Sequence, residues 1–201
     1  MGQNETSDVF LVAGLGNPGR EYRNNRHNVG FMLLDRLAAK IDVTFGRYES
    51  RALVAKGLYQ EKRLILAKPQ TYMNESGQAI GALVRFYKIN LQNFLVAYDD
   101  VDLPFGTLRI RPDGGAAGHK GMRSTQERLG TDEFSRLRFG IGRPPGRKEA
   151  AGYVLENFSS PEAEILPQLL DRAAEAVLVF INEGLEKAMN SYNGPAEESQ
   201  G

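Results

Sequence analysis

The chain has 201 residues, no cysteine and only two histidines, His27 and His119. Without cysteine there is no disulfide framework, no thiolate nucleophile and no zinc–thiolate site, which suits a reducing compartment. With so little histidine, a metal site would need carboxylate help. No apolar run approaches the roughly 20 residues that a membrane-spanning helix needs. The opening segment MGQNETSD holds no signal-peptide core. MGQNET does fit the acylation pattern M-G-x-x-x-[ST], but a pattern so short recurs by chance, and residues 1–8 read as a disordered N-terminus. A G-x-S-x-G elbow is also missing, which argues against a covalent serine mechanism.

What remains is the composition of a globular protein, 41% hydrophobic and 25% charged. The length suits one domain, expected over residues 9–191, followed by a disordered tail at 192–201. Net charge is zero but unevenly spread. From Arg109 to Lys148 there are ten Lys or Arg against four Asp or Glu; from Glu156 to Gly201 there are two against nine. Such asymmetry permits a polyanion partner on one face, and equally a solvated surface on both.

Apolar patterning predicts strands at 9–15, 51–59, 63–68, 94–99, 106–111 and 136–142, and helices at 28–41, 74–89, 120–129 and 161–190. Val29, Leu33, Leu37 and Ile41 recur at helical spacing, with Leu34 and Ala38 beside them. FLVAYDD, from Phe94 to Asp100, reads as a central strand delivering acids to a strand C-terminal edge. The alternation defines an α/β fold with a mixed central β-sheet flanked by helices in three layers, α/β/α.

GLGNPG, from Gly14 to Gly19, fits the dinucleotide fingerprint G-x-G-x-x-G. A strand precedes it, but the fingerprint also needs a helix opening directly on the glycines. Here Pro18 interrupts the motif, the chain stays polar to Asn28, and apolar periodicity resumes only at Val29. A ribose-binding acid should follow about 20 residues on, and Asp35 falls in mid-helix.

A different chemistry fits the same loop. His27 precedes a helix N-terminus, whose partial positive charge disfavours imidazolium, while a nearby carboxylate would fix the ring's tautomer. Together they would hold a neutral, oriented imidazole, as a general base requires. The acids Asp99 to Asp102 offer that partner; a solvated turn before Pro104 and a magnesium site are the other readings of this cluster. The loop is rich in amides, Asn17, Asn24, Asn25 and Asn28, and KPQTYMNESG delivers Tyr72 and Asn74 at another strand end. Asn74 also reads as the N-cap of the helix that follows. Histidine, acid and amides together suit hydrolysis of a polar ester or amide by activated water.

Five stretches, GLGNPGREYRNNRHNVGF, KPQTYMNESG, YDDVDLPFGTLRIR, GGAAGHKGMRS and RLRFGIGRP, together resemble the bacterial-type peptidyl-tRNA hydrolases over about residues 9 to 190. The resemblance implies cleavage of the ester between a peptide and the terminal ribose of tRNA, with no cofactor and no metal. It implies a monomer in the cytoplasm whose partner is tRNA rather than DNA or a membrane. It places the catalytic base on His27, its orienting acid on Asp99, and a peptide-contacting amide on Asn17. Asn74 falls on another substrate contact, Tyr22 and Tyr72 on rings near the tRNA end, and Arg111 and Arg138 on a clamp for the tRNA 5′ phosphate. Lys120 stands where the family commonly has asparagine, and an ammonium can only donate where an amide also accepts. His119 is expected to be structural or to line the substrate. A non-catalytic RNA-binding relative and a nucleotide-dependent enzyme are the competing readings.

Overall fold

The computed structural model describes residues 9–196. Seven strands form one sheet in the order β2-β3-β4-β1-β5-β7-β6. They are β1 (Val9–Gly14), β2 (Arg47–Glu49), β3 (Ala52–Tyr59), β4 (Lys62–Pro69), β5 (Phe94–Asp100), β6 (Leu108–Arg111) and β7 (Ser135–Gly140). The centre is parallel, β4 and β5 flanking β1 and β7 beside β5, while β2, β3 and β6 add antiparallel margins. Four side-by-side parallel strands, β4, β1, β5 and β7, therefore send their C-terminal ends to one rim. In such sheets this rim is where ligands bind.

The sheet is covered on both faces, as the three-layer expectation requires. Strand side chains alternate between the faces. Phe10, Val12, Leu95, Ala97, Leu137 and Phe139 pack with α1 (Val29–Lys40), α5 (Ser160–Glu183) and α6 (Leu185–Tyr192). Leu11, Ala13, Phe94, Val96 and Tyr98 pack on the other face with α2 (Ser76–Phe86) and α3 (Lys120–Leu129). The α1 stripe is the one read from periodicity, with Leu33, Leu34, Leu37 and Ala38 all buried.

Element ends shift by one to three residues in several places, and some expectations change more. The helix expected over 161–190 is two helices, because Gly184 adopts φ 96°, which an α-helix does not tolerate. Its start is strongly marked by a capping box between Ser159 and Glu162 and by Pro161 in the first turn. β2 spans only three residues, too short for alternation to reveal. A short α4 (Ala150–Tyr153) was also absent from the expectation. Asn193 and Gly194, placed in the expected tail, hydrogen-bond to Ile110 and Leu108 of β6. Residues 1–8 and 197–201 lie outside the described residues.

The glycine loop is explained by packing. A Cβ on Gly14 would lie 2.3 Å from the Gly30 carbonyl oxygen, and one on Gly30 would lie 2.5 Å from both the Ala97 carbonyl oxygen and the Leu15 nitrogen. Two bare backbones thus let the start of α1 press against the ends of β1 and β5. The helix opens at Val29, ten residues beyond Gly19, after two single 3₁₀ turns. The helix therefore does not open directly on the glycines, as a pyrophosphate-binding turn requires.

Candidate active site

The loop from Asn17 to Asn28 is closed by a reciprocal pair. The Asn17 backbone N–H donates to Asn28 Oδ1, and Asn28 Nδ2 donates to the Asn17 carbonyl, each at 2.9 Å. The Asn17 side chain then reaches the 3₁₀ turn that follows β4, where its Oδ1 accepts from the Met73 N–H at 2.8 Å. That leaves the Asn17 amide nitrogen as a donor at the edge of a cavity of about 540 Å³. His27, Tyr72, Asn74, Asp99, His119 and Lys120 also line it.

Asp99, the penultimate residue of β5, is 3% exposed and accepts from both histidines. His27 Nδ1 lies 2.8 and 3.0 Å from its two oxygens, and His119 Nε2 lies 2.8 Å from Oδ1. Desolvation alone would push this carboxyl up. The two imidazoles beside it outweigh burial and hold it well below the usual carboxylate range. An ionised carboxylate only accepts, so His27 directs an Nδ1–H at it, and in the neutral ring the open acceptor is then Nε2. The arrangement suits a general base oriented by an acid.

The second histidine lines the cavity, one of the two places expected for it, but its contact with Asp99 is what sequence reading missed. His119 is the N-cap of α3, and its Nδ1 accepts from the Met122 N–H at 3.3 Å. That contact places its remaining proton on Nε2, toward Asp99. The ligand atoms of His27, Asp99 and His119 lie within 4.8 Å of one another, close enough to consider a cation. Histidines that bind metals normally donate their other N–H to an acceptor. His119 has a backbone donor there instead, so metal binding through Nε2 would set two N–H groups against each other.

Arg26, beside His27 in sequence, is buried and locks a wall of the cavity. Its Nη2 pairs with Glu162 at 2.8 Å, its Nη1 donates to the Asn157 carbonyl at 2.8 Å, and its guanidinium lies 4.1 Å from the Tyr153 ring centroid. The His27 N–H donates to the Val154 carbonyl at 2.8 Å. Ala150, Ala151, Val154 and Leu155 of this clasped segment form the apolar side of the cavity.

The structure thus brings together His27, Asp99, Asn17, Tyr72, Asn74 and Lys120, and leaves three expected residues outside the cavity. Asn74 is not a helix cap: it sits in a 3₁₀ turn, Met73–Glu75, and α2 starts after Glu75 with no side-chain cap. Tyr22 lies in the turn Arg20–Tyr22 and does not reach the cavity wall. Arg111 and Arg138 stand on β6 and β7. Arg111 is exposed, whereas Arg138 Nε ion-pairs with buried Asp100 at 2.5 Å. Of the acids following Asp99, Asp102 pairs with Arg143. The basic stretch also contains Arg136, which is fully buried against backbone carbonyls of Gly114, Asp132 and Phe134 and so offers nothing to a partner.

A mixed α/β sheet presenting an acid-oriented imidazole among amides at its parallel-strand rim defines a hydrolase-type site rather than a nucleotide cradle. Residues 11–200 match the family model for peptidyl-tRNA hydrolase. The chain belongs to the peptidyl-tRNA hydrolase family. It is 50% identical to a peptidyl-tRNA hydrolase of Chloroflexus aggregans, over 92% of this chain and 99% of that protein. It is 47% identical to one of Mycobacterium tuberculosis, over 92% and 97%. The crystal structure of the Acinetobacter baumannii enzyme superposes with a TM-score of 0.85 at 34% identity, covering 93% of this chain and 97% of that one.

Proposed function

We propose that this protein hydrolyses the ester joining a peptide to the 3′-terminal ribose of tRNA. The observation that carries the reading is the His27–Asp99 pair, set beside the free Asn17 amide in an accessible cavity of a chain of this family. His27 Nε2 takes a proton from water as the oxygen attacks the ester carbonyl. The tetrahedral intermediate collapses, the bond to the ribose oxygen breaks, and the imidazolium returns its proton to that oxygen. Asp99 holds the ring in the required tautomer, and His119 holds Asp99. The Asn17 amide nitrogen meets the acylated side of the ester, favouring peptidyl-tRNA over free aminoacyl-tRNA. Asn74 and Tyr72 line the approach, with Tyr72 exposed as a stacking surface for the terminal base.

Arg111 and Arg138, outside the cavity, fit phosphate contacts to the tRNA body, which position an RNA without reading its sequence. Among the described residues no helix is long and apolar enough to cross a membrane. We place the enzyme in the cytoplasm, as a monomer, with a catalytic domain that starts at residue 9 and runs past 191 to take in Asn193 and Gly194.

The test is release of free tRNA from an N-acetylated aminoacyl-tRNA, with and without EDTA, beside the unacetylated form. Hydrolysis confined to the acetylated substrate and unaffected by EDTA is expected. Loss of activity in EDTA would overturn the metal-free scheme, and equal rates on both substrates would remove the discriminating role of Asn17.

A further inference from the structure

Charges around the cavity are almost fully matched internally. Asp99 receives both histidines, and Asp100 receives Arg138. Lys120 is the exception. It is exposed, it lines the cavity, and it has no hydrogen-bond or ion-pair partner among the described residues. As the first residue of α3 it also stands where the helix dipole favours an anion. Arg123, one turn along the same helix face, is likewise exposed and without a partner among the described residues. Arg111 lies at the other end of the loop that leads into α3. Arg111, Lys120 and Arg123 thus mark the end of β6 and the first turn of α3, with Lys120 at the cavity itself.

We infer that Lys120 binds a phosphodiester of the single-stranded 3′ end of the tRNA, with Arg123 continuing the contact away from the ester. The inference rests on the reading of the site as a peptidyl-tRNA hydrolase and adds a specific contact to it. An alternative would direct Lys120 at the ester oxygen that becomes negative in the transition state. Exposure decides between them. An ammonium open to solvent is hydrated and screened, and acts on a permanent anion rather than on charge developing at a buried carbonyl. A phosphodiester is such an anion.

The experiment compares wild type, Lys120→Ala and Arg123→Ala on two substrates: an N-acetyl-aminoacyl-tRNA and an N-acetyl-aminoacyl ester of adenosine, which has no phosphodiester. For Lys120→Ala, kcat/KM on the RNA substrate should fall on the order of 10-fold more than on the nucleoside ester. The salt slope of RNA affinity should flatten by about 0.7, the value for one single-strand phosphate. Anisotropy of a fluorescent, deacylated CCA-ended acceptor hairpin reads the same contact without turnover, so failure of the hydrolase reading would show as absent turnover with this binding difference intact. Equal losses on both substrates would place Lys120 at the ester and overturn the inference. Unchanged hairpin affinity and salt slope in Lys120→Ala would overturn it as well.

Discussion

Replacing Asp99 by Asn tests the proposed mechanism at its centre. The carboxylate accepts three close contacts from two N–H groups, at 2.8, 3.0 and 2.8 Å, in a site with 3% exposure. Asparagine keeps the shape but has one acceptor oxygen and one NH₂ group. If the oxygen stays with His119, the NH₂ faces His27 Nδ1, and two donors oppose each other. His27 relieves this by moving its proton to Nε2, the atom that must accept from water. The general-base contribution, on the order of 10²–10⁴-fold, is then lost. We expect kcat to fall by that factor, with KM changing only a few-fold, because Asp99 is too deep to meet the RNA. The same variant has a stability signature. In the wild type the folded-state pKa of Asp99 is depressed, so its stabilisation is present above the unfolded value near 4 and is lost as pH falls below it. Urea unfolding of Asp99→Asn should lack that share of the acid-induced loss between about pH 4 and pH 2. Turnover within about threefold of wild type, in single-turnover assays of folded protein, would refute an orienting role for Asp99.

Three further outcomes are expected. Arg138→Ala should weaken tRNA binding, flatten its salt dependence, and leave Asp100 buried without its cation, costing about 1–3 kcal/mol. Adding Asp100→Asn should restore the urea midpoint but not the salt slope; restoration of both would place Arg138 in structure alone. Arg26→Lys keeps the charge but loses the fork that joins Glu162 and the Asn157 carbonyl, so melting should drop by several degrees and kcat should fall more than affinity. An unchanged kcat would separate the clasp from His27. Burial pushes the Tyr98 phenol up to about 12. Its contribution to stability is therefore complete below about pH 10 and lost as pH rises toward 12. Tyr98→Phe should blunt alkaline unfolding in that window, and identical midpoints for both proteins would show that another group controls it.

Much of the site was legible because strand ends advertise their cargo. FLVAYDD ends in acids where a buried parallel strand must end, and His27 stands beside a helix start marked by the periodicity of Val29 and Leu33. What escaped reading depends on contacts that leave no local pattern. His119 meets Asp99 across a separation of 20 residues that includes β6, and nothing in GGAAGHKG sets that distance. Arg26 is a buried cation because Tyr153, Phe158 and Glu162 arrive from far along the chain to surround it. Arg138 counted toward a basic surface, yet the neighbouring strand places Asp100 against it. Asn74 had the right residue type for a cap, but a 3₁₀ turn intervened and moved the helix start two residues on.

The close approach of Gly14 and Gly30 sets a length as well as a shape. Gly30 follows His27 by three residues, and the Ala97 carbonyl it nearly touches precedes Asp99 by two. The His27–Asp99 pair therefore hangs from a backbone-to-backbone joint, with almost no lever arm between joint and acid. Even a methyl group at this joint would overlap backbone atoms of β5, so α1 and β5 could not keep their present spacing. The spacing of the base and its acid is gauged by the absence of two side chains, a dimension that no choice of larger residue can finely adjust.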